Sequence, residues 1–166
     1  MKVLKINTSS LLYVLILLFS TTSLQAQEEK KNKDREAIKS SISSRDFEFV
    51  AEYVVPTGGS TIFLTSRYDM KVGKDSLKTA LPYFGRAYVA PINPSEGGIQ
   101  FTSTDFDYNV QDAKKGWNIT LLPKDTKDVR QMYLSVSENG KATLQVISNN
   151  RQAISYMGYV RERSRS

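Results

Sequence analysis

The chain has no cysteine and no histidine in its 166 residues. That excludes a cysteine nucleophile, a histidine-dependent catalytic triad and every zinc site assembled from those ligands. No disulfide can hold the fold, so stability has to come from burial. Long apolar stretches are scarce as well. The run Leu11–Phe19 covers nine residues, too few to cross a bilayer that needs roughly 20. Lys2 and Lys5 precede it, and a small, polar segment ending in "LQA" follows. This pattern predicts a secretory leader, residues 1–26, cleaved after Ala26. With no cysteine behind the apolar run, a lipid anchor on that residue is excluded. The expectation is an exported chain, periplasmic or extracellular, with no transmembrane segment once the leader is removed.

Loss of the leader leaves 140 residues, enough for one domain that buries roughly 70% of its unfolded surface. The formal net charge falls from +6 to +4 as Lys2 and Lys5 leave with it. The excess sits at the two ends, where "EEKKNKDRE" mixes both signs and "RERSRS" is basic. Both read as solvated ends, and no nucleic-acid partner is expected.

Residues 27–45 form a charged lead-in. Ala37, Ile38 and Ile42 stand at helical spacing, which predicts a helix from near Glu29 to near Ser44 with polar, unpacked early turns. From Asp46 the period changes to two, and residues 46–166 read as a single antiparallel β domain. In "DFEFVAEYVV", Phe47, Phe49, Ala51 and Tyr53 share one face. "PTGGS" supplies a turn. Ile62, Leu64, Ser66, Tyr68, Met70 and Val72 then alternate with polar neighbours over a long strand. "KDSLKTAL" predicts one helical turn capped by Asp75 or Ser76 and ended by Pro82.

"RAYVA" reads as a short strand stopped by Pro91, and "INPSEGG" as a loop. In "GIQFTSTDFDYNV", Phe101 and Phe106 have opposite parity, so a bulge or sharp bend near Thr104 must reset the register. Trp117, Ile119 and Leu121 share a face after the turn "QDAKKG". "RQMYLSVS" and "KATLQVIS" flank Asn139-Gly140, a strong hairpin signal. "AISYMGYV" is the last strand. About eight or nine antiparallel strands with short connections manage their edges by closing. The fold class is therefore mainly β: an antiparallel β-barrel or strongly curved sheet behind an N-terminal helix.

Little in the sequence has the spacing of a catalytic or metal site. No carboxylate pair of the kind a glycosidase needs stands out. In "DFDYNV", Asp105, Asp107 and Asn109 match the first ligands of a calcium loop, but Val110 and Gly116 stand where glycine and glutamate are required. Asn118 heads a glycosylation sequon inside a strand. No cofactor and no enzymatic activity are expected.

One stretch is dense in binding-type side chains: "ALPYFGRAY", Ala80 to Tyr88. Pro82 sets its direction, and Gly85 lets the backbone bend or approach a neighbour closely. Two roles fit. As a corner of the core, Tyr83 and Phe84 cover the barrel end inside and outside, and Arg86 lies over an aromatic face. As a pocket mouth, Tyr83, Arg86 and Tyr88, joined by Tyr68 and Arg151, bind a small anionic or partly apolar ligand.

"LPYFGRAYVAP", "GGIQFTSTDFDY", "NGKATLQVISNNRQAISYMG" and the opening "FEFVAEYVVP" together resemble the domain-of-unknown-function family 4251, small exported proteins of Gram-negative bacteria. The resemblance covers Phe47 to Val160. It implies a lipocalin-like barrel and no established activity, and the Gly-x-Trp of true lipocalins is missing near the first strand.

Three functions follow in order of support. The first is a non-catalytic barrel that binds a small ligand. The second is an interaction module for an envelope protein, using Phe63, Leu122, Tyr133, Ile147, Met157 and Tyr159 on the outer face. The third is a hydrolase without histidine or cysteine.

Overall fold

The computed structural model describes residues 28–88 and 97–163. The leader, the end of "RAYVA", most of the loop after it and the last three residues lie outside that range. A helix, α1, spans residues 28–44. Nine strands follow: β1 (Phe47–Pro56), β2 (Ile62–Val72), β3 (Leu77–Leu81), β4 (Ile99–Ser103), β5 (Phe106–Ala113), β6 (Gly116–Pro123), β7 (Val129–Ser137), β8 (Lys141–Ser148) and β9 (Ile154–Glu162). They form one antiparallel sheet in the order β4-β3-β2-β1-β9-β8-β7-β6-β5. The sheet curls into a nearly closed barrel, as the alternation predicts.

The closure is visible in that order. β4 and β5 are consecutive in the chain, yet they occupy opposite edges of the sheet. The two edges are thus joined by Thr104 and Asp105 alone. Ile99 and Ser103 are buried on β4, while Phe106, Tyr108 and Val110 pack against the core from β5. The inward parity switches from odd to even across this bend, as Phe101 and Phe106 demand.

The interior is filled by side chains. Phe47, Phe49, Met70, Leu121, Met132, Leu144 and Tyr156 are fully buried in one contiguous cluster. A small barrel of this kind is packed by its own residues.

The helix contributes little to that core. Residues 28–37 are exposed, and only Ile38, Ser41 and Ile42 pack inward. Its C-terminus ends in a Schellman arrangement: the Arg45 amide donates to Ile42 O and the Asp46 amide to Ser41 O. Arg45 itself takes the left-handed conformation at φ 53. Its guanidinium lies 4.9 Å from the Tyr108 ring centre, whose hydroxyl donates to Ile42 O at 2.8 Å. These contacts offset the strain of a side chain in that region.

Three expectations need correction. Leu77–Leu81 is strand β3, with Leu77, Thr79 and Leu81 buried and alternating, so "KDSLKTAL" forms no helical turn. A five-residue run is too short for periodicity to separate strand from helix. Here pairing with both β2 and β4 decides. Tyr53 does not share a face with Phe47, Phe49 and Ala51, because the register shifts between Ala51 and Tyr53. Glu52 stands opposite the stretch Leu64–Arg67 of β2, and past it Tyr53 points outward while Val54 is buried. The basic C-terminus is not merely solvated. Arg161 and Arg163 form ion pairs with Glu48 and Asp46.

The Asn139-Gly140 hairpin joins β7 and β8 as expected. Gly140 sits at φ 82 and its amide donates to Ser137 O at 2.9 Å. Asn139 keeps a negative φ, so the three-residue form of the turn is used rather than the two-residue one.

Candidate functional site

The corner "ALPYFGRAY" is tied down at many points. The Tyr83 hydroxyl is 2.9 Å from Arg86 O and 3.0 Å from Gln152 O, and its proton is shared between these carbonyls. The Gln152 amide donates to Arg86 O and the Tyr88 amide to Asn150 O, with Ala87 bridged to Arg151. Tyr156, from inside the barrel, donates to Pro82 O at 2.7 Å. A Cβ on Gly85 would come within 2.6 Å of the Tyr83 hydroxyl, so the close approach there needs glycine. Burial pushes the hydroxyls of Tyr83 and Tyr156 above the ordinary tyrosine range.

The cation over Tyr83 is Arg151, 5.2 Å from the ring centre, and not Arg86. Arg151 also donates to Gly97 O and Gly98 O at 3.2 and 3.0 Å and pairs with Asp128 at 3.2 Å. Arg86 and Tyr88 are exposed, Tyr88 at 67%. Tyr68 is half-buried on β2 and packs against the core. Tyr83 and Arg151 thus meet as a structural tie between the corner, β4 and the turn before β9, while Arg86 and Tyr88 flank it in solvent. No binding geometry gathers all five.

The outer face of the sheet holds a second group of side chains. Phe63 is 62% exposed, Met157 46%, Tyr133 41% and Tyr53 40%. Tyr53 pairs laterally with Phe63 on β2 and Met157 on β9, and the Tyr53 and Phe63 rings meet edge-on at 5.3 Å. Leu122, Ile147 and Tyr159 are half-buried. The helix packs through Ile42 against Tyr108 and through Ile38 beside Gly140, so it does not cover these residues. Two grooves run over this face. One, of about 570 Å3, is lined by Tyr53, Ser135, Thr143 and Met157 with Glu52 and Lys141; the other, of about 490 Å3, by Asn118, Tyr133, Ser135, Thr143 and Gln145.

Beside the grooves lies a fully buried carboxylate on the outward face, Glu48. Arg67 reaches Oε1 at 2.7 Å, and Arg161 reaches Oε2 at 2.9 and 2.8 Å. Burial pushes the Glu48 carboxyl up, but the hydrogen bonds from Arg67 and Arg161 outweigh it and hold the group below the usual carboxylate range. The network latches β2, β1 and β9 together.

Sequence reasoning missed this latch, because a glutamate at a polar strand position looks solvated until two arginines from other strands cover it. It also missed the composition of the grooves. The signal was present: Asn118 and Thr120, Tyr133 and Ser135, Thr143 and Gln145 are the outward, uncharged alternates of β6, β7 and β8.

Among the described residues no cluster of three or more acidic, histidine or cysteine side chains could hold a metal ion. Asp107, in the failed calcium pattern, is ion-paired with Lys124 at 2.6 Å. No helix among the described residues is long and apolar enough to cross a membrane.

Comparison with known proteins agrees with the fold. The family model described as "Domain of unknown function (DUF4251)" matches residues 29–160. Among solved structures, a DUF4251 family protein from Bacteroides eggerthii DSM 20697, determined at 1.95 Å, superposes with a TM-score of 0.57 at 16% identity, covering 78% of this chain and 87% of that one. No curated protein matches the chain.

Proposed function

The chain belongs to the domain-of-unknown-function family DUF4251, whose name carries no activity, and from that premise we propose an exported, non-catalytic binding module that works through the outer face of its barrel. The observation that supports this reading is the exposure of Tyr53, Phe63, Tyr133 and Met157 along one face beside two grooves. Large apolar side chains held in contact with water on one side of a folded domain favour a role in binding. The filled interior takes away the motive for a ligand held inside the barrel. The leader pattern in residues 1–26 supports export, and the absence of histidine and cysteine supports a non-catalytic role.

The test uses purified protein on a sensor surface, exposed to solubilised cell-envelope material. Wild type, Tyr53→Ala/Phe63→Ser and Arg86→Ala/Tyr88→Ala are compared for bound mass. The outer-face variant is expected to lose most of the signal and the corner variant to keep it. The opposite pattern returns the site to the corner and overturns the proposal.

A further inference from the structure

We infer that the ligand of this outer face is a neutral oligosaccharide, an assignment that rests on the outer-face reading above and names its substrate class. Two adjacent rows of side chains cross the sheet without a charge. One runs from Phe63 and Tyr53 through Met157, Thr143 and Ser135 to Asn118. The next runs from Ser155 through Gln145, Tyr133 and Thr120 to Asn109. In a chain of which 24% is charged, two whole rows without an acid or a base set this surface apart.

The chemistry of the rows selects the ligand. Amides of Asn118 and Gln145 both donate and accept, as do the hydroxyls of Ser135, Thr143 and Thr120. A sugar's hydroxyls need such two-way partners. The C–H face of a sugar ring is apolar and packs flat on an aromatic ring, and an exposed tyrosine lines each groove, Tyr53 the first and Tyr133 the second. Ser135 and Thr143 line both grooves, so the trough is continuous between the two rings. Tyr53 on β1 and Tyr133 on β7 are three strand spacings apart in the sheet, roughly 14 Å, the span of a short oligosaccharide.

Other ligands fit less well. A phosphorylated or acidic polymer needs a surplus of cations in the groove, whereas the first groove's lining sets one lysine, Lys141, against one glutamate, Glu52, and the adjacent Arg67 and Arg161 are turned onto Glu48. A protein partner is expected to meet a dry apolar centre, whereas the residues that join the two grooves, Ser135 and Thr143, are hydroxyls. An acyl chain finds too little continuous apolar surface.

The full folded protein is tested on an array of immobilised oligosaccharides, some neutral and some sulfated or carboxylated. Wild type is expected to be retained by neutral members alone. Tyr53→Ala and Tyr133→Ala are each expected to weaken that binding about tenfold, and Arg86→Ala to leave it unchanged. The substituted side chains are exposed, and unchanged melting temperatures will show that the variants fold. Retention by charged members only, or by none, overturns the saccharide assignment. The envelope-binding experiment separates the two ideas: if Tyr53→Ala/Phe63→Ser still loses envelope binding, the outer face stands and only the ligand class falls.

Discussion

The Asp125 carboxylate accepts the amide proton of Thr104 at 2.8 Å, and so the turn after β6 grips the bend at which the chain leaves one edge of the sheet for the other. The same oxygen lies 3.3 Å from the Asp105 amide and 3.4 Å from the Thr104 hydroxyl. Lys124 completes the grip with its own amide on Asp105 O at 2.8 Å.

Asp125→Ala is therefore expected to lower the thermal midpoint, with the loss growing as pH rises. The Ser103 hydroxyl, then the Thr104 amide, holds the Asp125 carboxyl below its ordinary range. A depressed carboxyl stabilises the fold above its unfolded value, and that contribution is lost as pH falls through the folded one. Melting curves recorded from neutral to acid should converge for wild type and variant. Equal midpoints at neutral pH would show that the bend does not depend on this contact.

Glu48→Gln is expected to cost about 2 kcal/mol at neutral pH, less than a fully enclosed pair because both arginines keep contact with water. Glu48 is also held low, so its contribution too is present above the ordinary glutamate range and disappears on acidification. Asp69, pushed up by burial and then by Glu48, works in the opposite sense and blunts the acid loss. Denaturant unfolding in neutral and acid buffer reads both terms, and a variant as stable as wild type at neutral pH would reduce the latch to decoration.

At the corner, Arg151→Ala should destabilise by about 2 kcal/mol, since it removes an ion pair, two carbonyl contacts and the cation over Tyr83. Arg86→Ala should stay within about 0.5 kcal/mol of wild type, as a surface change without such ties. Urea midpoints decide between them. Equal costs would mean that Arg86 carries structural contacts of its own.

Ile42→Ala is expected to cost about 2–4 kcal/mol, because Ile42 is the one helix side chain sunk in the core. Amide exchange should accelerate over residues 38–46 while β6–β8 stay protected. Uniform acceleration would show instead that the helix end and the barrel unfold together.

The barrel was legible in the sequence because nearly every strand obeys a two-residue period. Phe101 and Phe106, of opposite parity, located the closing bend to within two residues. What escaped was decided by partners distant in the chain. Leu77–Leu81 becomes a strand only because β2 and β4 flank it, and Tyr53 turns outward because Glu52 is an extra residue of β1 against β9 and meets a bow in β2 on its other side. At the corner, the cluster of aromatics was readable, but its cation was not: Arg151 arrives from the other end of the chain, whereas the neighbouring Arg86 faces solvent. The uncharged rows went unnoticed for a related reason, since no strand gives them more than two residues and only the register lines these up.

The longest seam in the sheet joins its first strand to its last, from Phe47 against Glu162 to Pro56 against Ile154. A chain that emerges N-terminus first, from a ribosome or through a translocation pore, must wait for its final strand before that seam can zip. Until then β1 lacks a neighbour and Glu48 lacks Arg161. Any handler that keeps this protein from tangling before it folds has its work concentrated on that half-made strand, and its task ends when the tail arrives.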